Sequence, residues 1–163
     1  TRVGGSTTEA TTASTSAVSL VTVGSLNIPA ATPIFITFNY RKTAGAGLSA
    51  AAGLQLNSTV IFEANAGAAN FHSSTSRAED GFCWMYIAPT VTNYTSGFAF
   101  ASLGRATSGG AYVAGSNFPV GLGETAAARP TAAITSVVIR GEAGHAALTF
   151  GVDEVHIYTW GVA

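Results

Sequence analysis

Apolar and polar residues alternate with a period of two along most of this chain, and almost nowhere with the helical period of about 3.6. In PIFITFNYR (33–41), Ile34, Ile36, Phe38 and Tyr40 fall on one face, and Phe35, Thr37, Asn39 and Arg41 on the other. Pro33 suits the first position of such a strand. VSLVTV (18–23) is short, apolar and β-branched, and LQLNSTVIFEA (54–64) sets Val60 and Phe62 against Ile61 and Glu63. GFCWMYIAP (81–89) is apolar without interruption and is stopped by Pro89, the pattern expected of a strand buried on both faces. GFAFASL (97–103) and GAYVAG (110–115) are weaker strands. Near the C-terminal end, ITSVVIRG (134–141), AALTFGV (146–152) and DEVHIYTW (153–160) read as three successive strands.

The best helical window, AGAGLSAAAGLQL (44–56), contains three glycines. Each costs about 1 kcal/mol against Ala in a helix, so the window reads as loop and strand. Short strands separated by Gly-, Pro-, Asn- and Ser-rich turns predict an all-β fold, an antiparallel β-sandwich. Roughly eight strands would fit a jelly roll. No internal repeat is visible, against a propeller or solenoid. Residues 1–17 hold Val3 as their only large apolar side chain. Such a segment buries too little to offset its ordering entropy, and reads as a flexible N-terminal arm ahead of a single sandwich domain, 18–163.

Composition changes the picture at the surface. Asp, Glu, Lys and Arg make up only 9% of the residues, Lys42 is the only lysine, and the formal net charge is -1. Soluble domains carry about 25% charged residues and usually coat their surface with them. A surface of Ala, Gly, Ser and Thr is poorly protected against association, which points to a subunit of an assembly. Cys83 is the single cysteine, so no intrachain disulfide is possible, and its apolar neighbours predict a buried, inert thiol. The small residue Thr1 and the missing secretory signal suggest cytoplasmic synthesis, and no apolar run is long enough to span a membrane as a helix.

Little in the chain supports catalysis. Glu79–Asp80 and Asp153–Glu154 are adjacent pairs beside turn residues, so they would point to opposite faces of a strand and read as turn-capping acids rather than a glycosidase pair. Asp153 and Glu154 could offer oxygen ligands to calcium, but no EF-hand-type loop accompanies them. His72, His145 and His156 lack zinc-binding spacing, and neither a nucleophile elbow nor a phosphate-binding loop is present. Seven basic residues against eight acidic ones, with no basic run, give no footprint for nucleic acid. The sequons at Asn57 and Asn93 arise easily by chance in a Ser/Thr-rich chain. The expectation is therefore no catalytic residue, no metal and no cofactor.

The strongest positive signal is DEVHIYTW. Alternation puts Val155, Ile157 and Thr159 on one face, and Glu154, His156, Tyr158 and Trp160 on the other. One face belongs to the core. The second is either buried too or an aromatic strip with polar handles, which would serve a subunit interface or a sugar-stacking surface. His156, Tyr158 and Trp160 are the candidate interface residues, with Arg41 and Arg140 as charged partners.

Two stretches together, FITFNYRKTAGAGLSAAAGLQLNSTVIFEA (35–64) and ITSVVIRGEAGHAALTFGVDEVHIYTW (134–160), resemble small all-β virion proteins of tailed bacteriophages, the jelly-roll decoration (cement) or knob proteins of capsids. The resemblance implies a non-enzymatic structural role in the virion, as a homotrimer bound to a capsid or other virion protein; charge and hydropathy, separately, give no nucleic-acid or membrane partner. The resemblance carries over no catalytic residues. The alternative is a lectin-like carbohydrate-binding module using Tyr158, Trp160 and Trp84.

Overall fold

A computed structural model of the protein describes residues 1–43, 50–62, 79–89, 93–105, 112–114, 121–128 and 131–160. These residues form strands, turns and connections, with no helix among them. In chain order the strands are β1 (Arg2–Ser6), β2 (Ala10–Thr12), β3 (Val18–Val23), β4 (Ile34–Lys42), β5 (Ala50–Leu56), β6 (Thr59–Phe62), β7 (Glu79–Pro89), β8 (Asn93–Arg105), β9 (Tyr112–Ala114), β10 (Gly121–Ala128), β11 (Val137–Ala143) and β12 (Phe150–Thr159).

They build two antiparallel sheets. The large sheet has eight strands in the order β1-β12-β4-β7-β8-β10, with β2 also on β12 and β9 on β8. The small sheet has four, in the order β3-β11-β5-β6. The sheets pack face to face around one core, as the alternation predicts for a β-sandwich. From the large sheet come Ile34, Ile36, Phe38 and Tyr40 of β4, Cys83, Met85 and Ile87 of β7, and Val152, Val155 and Ile157 of β12. From the small sheet come Val21 and Val23 of β3, Leu54 and Leu56 of β5, and Val137 and Ile139 of β11. Lys42 ends the inward row of β4 and is buried, so the chain's one lysine is withdrawn from the surface. Burial pushes the Cys83 thiol well above its ordinary pKa, as expected for an inert side chain.

The N-terminal residues are not a loose arm. β1 pairs antiparallel with β12 over Arg2–Ser6, and β2 pairs with the same strand over Ala10–Thr12. Counting apolar side chains misses the reason, which lies in the main chain. An uncovered β12 edge would leave its donors and acceptors without a ladder, and any extended segment can complete it. Glycine makes the fit close: a Cβ on Gly4 would stand 2.6 Å from Leu26 Cδ2 and 3.0 Å from Val23 Cγ1.

Three further readings change. Residues 54–64 are not one strand, because β5 and β6 form a hairpin around Asn57 and Ser58, with Leu56 paired to Thr59. Asn57 has φ 52°, and its side chain ties down the neighbouring connection. Its Oδ1 accepts from Thr135 N (2.8 Å), Thr135 Oγ1 (3.1 Å) and Ser136 N (3.2 Å), while Nδ2 donates to Ala133 O (3.2 Å). A glycan on that nitrogen would disturb this set of bonds, so the sequon reads as structural. Residues 150–159 are one strand rather than two, because a bulge between Asp153 and His156 takes up the change of phase. β7, finally, is not buried on both faces. Cys83, Met85 and Ile87 are fully buried, whereas Phe82 is 38% exposed.

Candidate functional site: the aromatic outer face of the large sheet

The side of the large sheet that turns away from the core should be polar if it only met water. Three neighbouring strands make it aromatic instead. Strand register fixes the rows. Tyr158 of β12 stands opposite Phe35 of β4, which stands opposite Tyr86 of β7. In the next row His156 faces Thr37, which faces Trp84. Directly opposed residues in an antiparallel ladder share a face and bring their Cβ atoms within about 5.5 Å, so these rings meet.

Phe35 is the hub. Its ring centroid lies 5.6 Å from that of Trp160, 5.9 Å from Trp84 and 6.3 Å from Tyr158. Tyr86 closes the cluster edge-on against Trp160 at 5.9 Å, and His156 meets Tyr158 edge-on at 6.4 Å. Trp160 is 55% exposed, the most exposed large hydrophobic residue among those described. Beyond Trp84 the neighbouring strand is β8, where Gly97 and Ala99 occupy the positions opposite Tyr86 and Trp84.

The cluster is flanked by polar groups at the β12 bulge. Glu154 has φ 48°, its carboxylate lies 3.6 Å from His156 Nε2, and Asp153 stands opposite Asn39. Asp153 Oδ1 and His156 Nδ1 are buried there without a hydrogen-bond partner. Arg41 lies exposed on the same face, further along β4, with Nη1 3.8 Å from Glu9 Oε1.

Of the residues singled out in the sequence, the structure therefore brings His156, Tyr158 and Trp160 together, with Arg41 at a distance on the same face. Arg140 does not join them. It belongs to β11 in the small sheet, where Nη1 donates to Gln55 Oε1 (3.2 Å) and Nη2 to the Ala17 carbonyl (3.3 Å). An isolated strand pattern cannot say which sheet an arginine will join. Phe35, Tyr86 and Phe82 were not anticipated as site residues, and Trp84 only for the carbohydrate reading. The alternation of β4 already set Phe35 opposite the core face. In β7 the uninterrupted apolar run conceals which residues point outward.

Among the described residues no group of three or more His, Cys, Asp or Glu side chains is placed to hold a metal ion. Glu63 and His72 lie outside the described residues. Among the described residues no helix is long and apolar enough to cross a membrane. Comparison of the chain with protein-family models, with curated proteins and with solved structures finds no match to any of them.

Proposed function

We propose that this chain is a non-enzymatic structural protein of a virion, a capsid decoration or cement subunit. In this reading it assembles as a trimer and binds a shell protein, using the aromatic outer face of its large sheet as its principal contact. The observation that carries the reading is the cluster of Phe35, Trp84, Tyr86, Tyr158 and Trp160 on the side of the sheet away from the core. Tyr and Trp are the side chains most suited to anchor a protein interface, where a large apolar body is buried and a polar tip finds a partner. The scarcity of charge supports the same reading, since low charge leaves association little opposed. Several modest contacts per oligomer would then add up to firm attachment on a lattice.

Ring geometry favours protein over polysaccharide at this face. The four contacts made by Phe35 and Tyr86 have interplanar angles of 34°, 47°, 56° and 68°. None of these four pairs offers one continuous plane on which successive sugars could stack. An uneven, interlocked ring surface suits side chains of a partner better.

Sedimentation velocity of the purified chain at tens of micromolar tests the reading. The expected result is a closed oligomer whose size does not change between dilute buffer and about 0.5 M salt, where screening is strong. Trp160→Ala should weaken it by about 2 kcal/mol or more, the usual effect of truncating a central anchor. A compact monomer for the unaltered chain overturns the proposal, and a monomer retained on polysaccharide favours the carbohydrate-binding module.

A further inference from the structure

We propose that residues 1–12 form an exchangeable pair of strands: the β12 edge that holds them in one chain is also the seat for the same segment of a second copy. The inference does not depend on the aromatic face being an interface. It rests on what holds the segment in place.

Both β1 and β2 attach to the large sheet through β12 alone, by main-chain pairing. Their side chains add little. Thr1, Arg2 and Val3 are exposed, as are Thr7, Thr8, Glu9 and Thr11. Val3, the one large apolar residue, is 38% exposed, and only Ala10 and the side-chain-free Gly4 lie against the core. Hydrophobic stabilisation scales with apolar area removed from water, so lifting this segment gives up little of it. Local opening of such an element costs far less than global unfolding.

Opening creates a strong demand for replacement. Without β1 and β2 the edge of β12 has no strand beside it, and the aliphatic row of Val155 and Ile157 beneath loses its border. A bare edge of that kind pairs with whatever extended chain is at hand. The segment best fitted to it is another copy of residues 1–12, because Gly4 and Gly5 permit an approach that other side chains block. A Cβ on Gly5 would stand 2.5 Å from the Val155 carbonyl oxygen and 3.3 Å from His156 Nδ1.

The connection to the rest of the chain allows the crossing. Residues 13–17, Ala-Ser-Thr-Ser-Ala, link β2 in the large sheet to β3 in the small one. The linker is held close to β2, where Ser14 O accepts from Ala143 N (2.8 Å), and again at its far end, where Ala17 O accepts from Arg140 Nη2 (3.3 Å). The segment can therefore swing out from a fixed corner. Once the Ser14 bond opens as well, the five residues reach about 17 Å when extended. Closed and exchanged forms make the same strand contacts, so the local concentration of copies decides between them. Wherever copies are held side by side, each chain can complete its neighbour's sheet.

Mixed disulfide formation between full-length chains tests this. Thr11 stands opposite Gly151, and a Cβ on Gly151 would lie 3.0 Å from Thr11 Cγ2, which suits a cross-strand disulfide. Tagged T11C chains are incubated with untagged G151C chains and oxidised, and T11C with T135C measures chance collision at an exposed position off the seat. Exchange predicts about tenfold more mixed dimer for the first pair than for the control, the result of a raised effective concentration. Equal yields overturn the proposal. Cys83 is buried and takes no part. Should G151C fail to fold, R2C mixed with Y158C, another directly opposed pair, is read in the same way. An oligomer left unchanged by Trp160→Ala, with mixed dimers retained, would count against the proposed interface and leave exchange standing. The reverse result would do the opposite.

Discussion

The two faces of the large sheet are made by the same three central strands and alternate residue by residue, yet they differ in chemistry. Toward the core, β4, β7 and β12 present Ile34, Ile36, Phe38, Cys83, Met85, Ile87, Val155 and Ile157, all fully buried. Away from it they present Phe35, Trp84, Tyr86, Tyr158 and Trp160, in ring contact with one another and still open to solvent at Trp160. The inner face is mostly aliphatic, shaped to interdigitate with a second sheet already in the chain. The outer face is aromatic, and each ring pair contributes about 0.5–1.5 kcal/mol beyond its buried area. Of the five rings only Trp160 is more than half open to solvent. On the function proposed above, the inner face holds the fold and the outer face holds a partner.

The comparison is broken most directly by truncating one ring on each face. Phe38→Ala empties a fully buried site and should cost roughly 3–5 kcal/mol, measured by urea unfolding. Trp160→Ala should cost the fold about 1–2 kcal/mol in the same assay, because it gives up two ring contacts but more than half of its surface is already in water. If Trp160→Ala destabilises the chain as much as Phe38→Ala, the outer cluster belongs to the core and the division fails.

A smaller effect sharpens the picture at Gly81. This residue stands opposite Tyr40 on the inner face, and a Cβ there would collide with the Tyr40 ring. The ring covers the glycine, a device that shields the exposed backbone a glycine leaves in a strand. Gly81→Ala should cost about 1–3 kcal/mol through overpacking. Association should stay unchanged, because the displaced ring lies on the face away from Trp84 and Tyr86. An unaltered unfolding midpoint would show that Tyr40 has room to move and that the inner face is less tightly filled than it looks.

How much of this was legible before folding follows from the kind of interaction involved. The inner row of β4 and the two faces of β12 from Val155 onward are local alternation, and the sequence pattern reaches them. β7 misleads because Phe82, Trp84 and Tyr86 look like core residues, and a run with no polar member carries no phase. The strands at residues 2–12 are hidden because main-chain pairing leaves no trace in side-chain character. The aromatic site was half visible, as His156, Tyr158 and Trp160. Its other half comes from β4 and β7, and only the register of distant strands assembles it.

The smallest expected effect concerns the device that keeps the two faces of β12 in phase. Asp153 pairs with Asn39 and His156 with Thr37, so Glu154 and Val155 together oppose the single residue Phe38. Without that bulge, a strand that buries Phe150 and Val152 would next turn Glu154 inward and Val155 outward, and every later side chain would change face. Glu154 absorbs the shift by adopting φ 48°, a left-handed conformation that costs a residue with a Cβ roughly 1–2 kcal/mol. Glycine adopts it freely but loses more entropy on folding, about 0.5–1 kcal/mol. Glu154→Gly should therefore raise stability by about 1 kcal/mol or less, read as a small upward shift of the urea midpoint. The lost contact with His156 weighs little, because the pair is solvent-exposed on the Glu154 side. A fall in stability instead would mean that the Glu154 carboxylate holds His156 in place more firmly than the backbone strain opposes it. The bulge would then be tied to the outer face through a charge, and not merely tolerated for the sake of the inner one.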